Sequence, residues 1–159
     1  MAQSTTKSWQ RAASTFATKF PPQSRATFRA VYDVLLRMTK IFNDGGVRML
    51  AGSDSVGAAW EVPGPSLHRE FDELARAGVP PLRILQMTTH DAAEFLGTTS
   101  TMGTVDVGKN ADLVLLDANP VEAAAHLHQV SGVVRRGRHY SAADLAALKD
   151  RVRTTNPAT

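Results

Sequence analysis

One short apolar stretch constrains this chain more than any other feature. Val47-Arg48-Met49-Leu50-Ala51 lies between Gly45-Gly46 and Gly52. A helical pattern precedes it and others come after, which is how a buried strand of an αβ unit reads. A buried strand must satisfy its backbone N–H and C=O groups on both sides. Residues 24–97 contain no second strand of this kind. The stretch therefore either joins strands later in the chain or belongs to a sheet that this chain does not contain.

The surrounding pattern is unequal. Residues 1–23 are polar and rich in Ser and Thr, with a loose helix between Trp9 and Phe20 at most, ending at Pro21-Pro22. Ser24 opens a clear helix whose Phe28, Val31, Leu35, Met38 and Phe42 recur at steps of three or four. Gly45-Gly46 stops it. After Gly52-Ser53-Asp54-Ser55, Ser66 is placed to cap a helix carrying Leu67, Phe71 and Leu74. Pro80-Pro81 starts another. Asp91 with Glu94 three residues on has the form of a capping box for a third. From residue 100 the period changes. Thr104-Val105-Asp106-Val107, the turn Gly108-Lys109-Asn110 and the apolar run 111–117 read as a hairpin. Residues 121–127 suggest a short helix, 129–134 a strand, Arg136-Gly137 a turn and 138–140 a return strand. Ser141 with Asp144 starts a last helix. The expected organisation is a polar segment 1–23, a helical unit 24–99 around one strand, a small β unit 100–140, and a helix and tail 141–159.

Composition narrows the chemistry. There is no cysteine, so disulfides, thiol catalysis and Cys-metal sites are excluded, and any metal must use His, Asp or Glu. The net charge of +3 is mild. Basic residues precede the first acid, Asp33, and cluster at Arg135, Arg136 and Arg138. No nucleic-acid-binding signature accompanies them, so no nucleic acid is expected as partner. No apolar run reaches the ~18 residues of a membrane span, and residues 1–23 lack a signal-peptide core. The compartment stays open. A length of 159 falls short of the roughly 200–250 residues of a complete (β/α)₈ barrel.

Several stretches, in order, resemble one family. Gly45-Gly46-Val47-Arg48-Met49-Leu50-Ala51-Gly52-Ser53-Asp54 resembles the final barrel strand of the metal-dependent amidohydrolases. Ser66-Leu67-His68-Arg69-Glu70-Phe71 is similar to a helix opening of their imidazolonepropionase-like branch. Ala77-Gly78-Val79-Pro80-Pro81 and residues 89–97 resemble the family's next helices. The stretch Met102-Gly103-Thr104-Val105-Asp106-Val107-Gly108-Lys109-Asn110-Ala111-Asp112-Leu113 resembles the family's C-terminal Gly-x-Ile-x-x-Gly-Lys-x-Ala-Asp-Leu pattern.

The resemblance implies an α/β fold. It would be the last helix-strand-helix unit of a TIM barrel plus strands of the accompanying small β-sandwich. It also implies hydrolysis of C–N bonds, such as those of amides, cyclic amides or dipeptides, by water activated on a divalent metal, with zinc the expected ion. Asp54 matches the final-strand aspartate that ligates the metal and takes the proton from water. On residue type alone, an Asx turn or helix-cap role after a strand is the better explanation; the ordered resemblance favours the ligand. His68 and Trp60 are candidate substrate contacts; the competing readings are a surface pair of His68 with Asp72, and ordinary packing for Trp60. Lys109 and Asp112 read as shapers of a turn and a local ion pair. His126-x-His128 comes after a helix-like run, where the two rings diverge. The family's first-strand His-x-His, mid-barrel Lys or Glu and later histidines have no place here. The chain alone is therefore expected to be inactive, with the missing barrel half or a second copy as its partner and a small amide as the intact enzyme's substrate. The alternative is a non-enzymatic interaction or scaffold remnant.

Overall fold

The computed structural model describes residues 3–55 and 61–155, with side chains at 7–55 and 61–152. Helices α1 (Gln3–Lys19) and α2 (Ser24–Asp44) are joined at Pro21-Pro22. Three shorter helices come next: α3 (Pro65–Arg76), α4 (Pro81–Thr88) and α5 (His90–Phe95). Strand β1 (Leu113–Leu116), a 3₁₀ helix (Ala124–His128), β2 (Val130–Arg135), β3 (Arg138–Ser141) and α6 (Ala142–Thr155) complete the chain. No helix among the described residues is long and apolar enough to cross a membrane.

The sheet is a three-stranded antiparallel meander in the order β1-β2-β3. Leu113 pairs with Val134 and Leu115 with Gly132, before an irregularity ahead of Leu116. Arg135 pairs with Arg138 across the tight turn Arg136-Gly137. Both turn residues have positive φ, +51° and +77°, as a two-residue type I′ hairpin requires.

The core lies between the short helices and the 3₁₀ helix, and the sheet reaches it only through Leu116 at the end of β1. Phe71 and Leu74 of α3, Val79 of the α3–α4 connection, Ile84 and Met87 of α4, and Ala124 and Leu127 of the 3₁₀ helix form one cluster. Met49, Ala51 and Leu116 pack against it. Ile84 and Met87 are 0% exposed; three residues apart on α4, they share the face that meets the cluster.

Several sequence expectations change. The stretch 47–51 is extended but belongs to no sheet of the described residues. Its alternation survives: Met49 and Ala51 turn to the core, while Arg48 and Leu50 turn out. Residues 104–107 form no strand, so the expected hairpin is absent. Val105 and Val107 have no face to bury and stand exposed. Thr104 and Lys109 bond each other, Thr104 donates to Asp106, and Lys109 pairs with Asp106 at 3.2 Å. These local bonds compete with a ladder, and β1 takes β2 as its partner instead.

The N-terminal segment is a 17-residue helix, longer than expected, held to α2 by the aromatic trio Phe16, Phe20 and Phe28, with ring centroids 4.8–5.6 Å apart. Ser66 does not cap α3; its hydroxyl accepts the Val62 N–H at 2.8 Å, and the helix starts one residue earlier on Pro65. Asp91 lies inside α5 rather than before it. Ser141 and Asp144 do form the expected reciprocal cap, with the Ser141 N–H donating to Asp144 at 2.9 Å and the Asp144 N–H to Ser141 Oγ at 3.2 Å.

The α2 stripe is the largest departure. Ser24, Tyr32, Leu36, Thr39, Lys40 and Asn43 are the half-buried positions of this helix. The side toward α3 includes Tyr32 and Lys40: Tyr32 bonds Glu73 and accepts from Arg76 at 2.6 Å, while the Lys40 stem lies against Gly78. The apolar stripe Val31, Leu35, Met38 and Phe42, with Val34 and Ile41, faces away, and no residue of α2 is buried.

Candidate functional site

Asp54 stands three residues past the extended stretch 47–51, whose core-facing residues anchor it against α4. The Ala51 N–H donates to the Met87 carbonyl at 3.4 Å. Asp54 is exposed and has φ +46°, a left-handed conformation that Asp tolerates better than most side chains. Among the described residues its carboxylate has no hydrogen-bond or ion-pair partner. An exposed, unneutralised carboxylate held in an uncommon backbone conformation can ligate a cation or accept a proton.

The structure replaces one of the two readings of His68, the surface pair with Asp72. Its ring sits half-buried between α3 and the 3₁₀ helix, edge-on to Phe71 at 5.6 Å and tilted against His128 at 4.9 Å. The expected pair with Asp72 is replaced, since Asp72 bonds His128 Nε2 at 2.8 Å. His68 Nδ1 is sealed from solvent without a partner among the described residues. Asp54 and His68 are not in hydrogen-bond or ring contact. Trp60 lies outside the described residues.

Burial, and after it the neighbouring His128, push the His68 ring below the usual histidine range, with Asp72 opposing. The neutral ring is thus favoured in the folded chain. The stability this carries is present above the unfolded pKa near 6.5 and is lost as pH falls through it toward the lower folded value. Urea unfolding at pH 7.5 and 5.0 is expected to show a wild-type loss at acid pH that His68→Phe reduces; an unchanged pH dependence in the variant contradicts this.

The other motifs resolve into structural roles. Asp112 accepts the Arg136 N–H at 2.6 Å and pairs with Arg135, which fixes β1 to the β2–β3 turn. The Arg136 N–H, with the Arg135 charge, holds its carboxyl below the usual range. Lys109 pairs with Asp106, so Lys109 and Asp112 serve separate contacts. His126 Nδ1 meets the Asn119 carbonyl at 2.6 Å while His128 meets Asp72, so the His-x-His diverges as expected.

A further cluster has no counterpart among the sequence candidates. His90, Asp91 and Glu94 bring ligand atoms within 4.8 Å of one another on α5. Their one-turn spacing in His-Asp-x-x-Glu is the signal that would have found them. Both carboxylates are already neutralised, Asp91 by Arg83 at 3.0 Å and Glu94 by Arg48 at 2.8 Å. Burial raises the Asp91 carboxyl, but His90 and Arg83 outweigh it and hold it low. A cation there would have to displace two arginines.

The implied divalent metal is therefore not accommodated by the described residues alone. Asp54 offers one carboxylate past the extended stretch 47–51, whereas zinc sites use at least three protein ligands.

No curated protein matches the chain. Among solved structures, the bottromycin amidohydrolase matches with a TM-score of 0.80 at 28% identity, covering 99% of this chain and 34% of that one. A Xaa-Pro dipeptidase with bound methionine in its active site matches with a TM-score of 0.59 at 25% identity, covering 67% and 25%. The chain thus spans about a third or less of the length of these structures. The profile of the Amidohydrolase family matches residues 34–155, from within α2 to the end of α6. Asp54, the core and the whole sheet fall inside that match, and the chain belongs to the amidohydrolase family.

Proposed function

We propose that this chain is the C-terminal part of a metal-dependent amidohydrolase that cleaves C–N bonds of small amides, and that Asp54 is its contribution to the active site. In this reading, residues 24–99 supply the last helix-strand-helix unit of a TIM barrel of the imidazolonepropionase-like branch. Residues 100–140 supply strands of the adjoining β-sandwich. The observation that carries it is Asp54 itself: an exposed carboxylate in a left-handed conformation, three residues after an extended segment that has no sheet partner among the described residues, inside the family match. Family members generally bind divalent metals, and a metal held by Asp54 and ligands from the remaining fold would supply an activated water. Asp54 would accept that water's proton. His68 and Trp60 are kept as substrate contacts in the complete enzyme. The two solved relatives, a dipeptidase and an amidohydrolase by name, support the amide class.

The test is hydrolysis of a panel of dipeptides and cyclic amides by this chain alone and joined to the part of an amidohydrolase fold it lacks. Turnover only in the joined protein is the expected result. Turnover by the isolated chain, or none in a properly folded joined protein, overturns the proposal.

A further inference from the structure

Glu61 lies on the segment that leads from Asp54 into α3. Its Oε2 is sealed from solvent and has no hydrogen-bond partner among the described residues. No Lys, Arg or His of the described residues forms an ion pair with it. A carboxylate oxygen taken out of water without a donor is costly. On the adjoining helix the cost is avoided: Asp72 has His128 at 2.8 Å, and Glu73 has Arg76 at 3.1 Å. A sealed acceptor left unpaired therefore calls for a donor from outside the chain.

The backbone beside Glu61 is fixed. The Val62 N–H donates to Ser66 Oγ at 2.8 Å, and the Ser66 N–H returns to the Val62 carbonyl at 3.0 Å. The His68 N–H donates to the Gly64 carbonyl at 3.2 Å, and Gly64 turns the chain at φ +89°. Glu61 thus enters a closed turn, and His68 leaves it. His68 Nδ1 is sealed and unpartnered in the same way. Among the described residues these are the two such side-chain atoms, and both lie between Asp54 and the first turn of α3.

The chemistry of the two groups defines what fits them. An ammonium has three N–H donors and a guanidinium five, with no acceptor on either. Each makes a charge-assisted bond to a carboxylate and neutralises it. The His68 ring, kept neutral by burial, can accept a further N–H. A hydroxyl or neutral amide would leave the Glu61 charge unopposed, and an anion would be repelled.

In the functional reading, this segment is the loop after the final barrel strand, at the barrel end where sites assemble. We propose that Glu61 is a specificity-determining residue of that site, whose carboxylate receives a cationic group of the substrate, so that the amides cleaved carry an ammonium or guanidinium near the scissile bond. The proposal rests on the functional reading for the place of the site. A small peptide has two sources of such a group, its own amino terminus and a basic side chain.

The test uses the joined protein and two kinds of matched substrates. Alanyl-alanine against its N-acetyl form reads the terminus. N-acetylated Lys-Ala and Ala-Lys against their norleucine counterparts read the side chain. In one kind of pair the cationic member should show a kcat/KM roughly 10–100-fold higher, the worth of one hydrogen bond to a charged group. Glu61→Gln should remove that preference by lowering turnover of the cationic member, with no fall in the unfolding midpoint. The same compounds, titrated into the joined protein and read at the Glu61 and Val62 amides by NMR, measure binding whether or not any amide is cleaved. The preferred cation should shift these amides in the wild type and not in Glu61→Gln.

Three results overturn the proposal: no preference in either kind of pair, a preference that survives Glu61→Gln, and cations that leave the 61 and 62 amides unmoved in the wild type. Binding at Glu61 in a protein that hydrolyses no amide upholds the cation site and defeats the functional reading.

Discussion

Asp54→Asn in the joined enzyme is expected to lower kcat for amide hydrolysis by about 10²–10⁴-fold, the usual worth of a positioned proton acceptor. The substitution separates the two explanations of this residue. Asn tolerates the left-handed backbone at φ +46° as Asp does, and the Asp54 carboxylate makes no hydrogen bond among the described residues that Asn would lose. The fold and its stability should therefore be unchanged. Only the charge, and with it the capacity to hold a cation and accept a proton, is removed. If Asp54 merely shapes the turn, Asn restores it and turnover persists. Steady-state kinetics beside a denaturation curve on the same sample reads both quantities.

Met87→Ala is expected to destabilise the chain by roughly 2–5 kcal/mol. Met87 is fully buried where α3, α4, the 3₁₀ helix and the extended stretch meet, and its carbonyl accepts the Ala51 N–H. The void would have no neighbour free to fill it, because Ile84 beside it is equally buried. Against the about 5–15 kcal/mol of an ordinary domain this is a large share. Here the core is small and much of α2 is uncovered. Met87→Leu, which nearly conserves volume, should cost less than about 1.5 kcal/mol. Chemical denaturation by urea compares the three; equal midpoints for Ala and Leu would contradict the central place given to this side chain.

The helices were legible because their signals are local. Pro81 at the start of α4, Gly45 at the end of α2 and the Ser141–Asp144 cap each act within a turn. The Arg136-Gly137 hairpin was legible for the same reason. The expectations that failed depended on partners. The alternation of 104–107 is a real period-2 pattern, but nothing among the described residues covers that face, and the Thr104, Asp106 and Lys109 side chains settle the loop instead. The stretch 47–51 keeps its alternating faces without a ladder, because a strand is defined by its neighbours and none is among the described residues. The α2 stripe is apolar at helical spacing, yet periodicity does not say which side of a helix meets its own chain.

The site divides in the same way. Asp54 stands in an ordered set of motifs, and its position after the extended stretch comes from local chain order. The His68 environment is long-range: His128 is 60 residues away in sequence, and its approach depends on how the 3₁₀ helix docks on α3. The His90, Asp91 and Glu94 group sits within one turn and is readable from spacing, although Arg48 and Arg83 neutralise its carboxylates.

The most direct measurement is amide hydrolysis in a sample where light scattering has established a 1:1 complex between this chain and the remainder of an amidohydrolase fold. Turnover is predicted in the complex, with none from either piece alone, and its loss with Asp54→Asn. Turnover that survives the loss of the Asp54 charge, in a complex of unchanged stability, would contradict the role assigned to this residue.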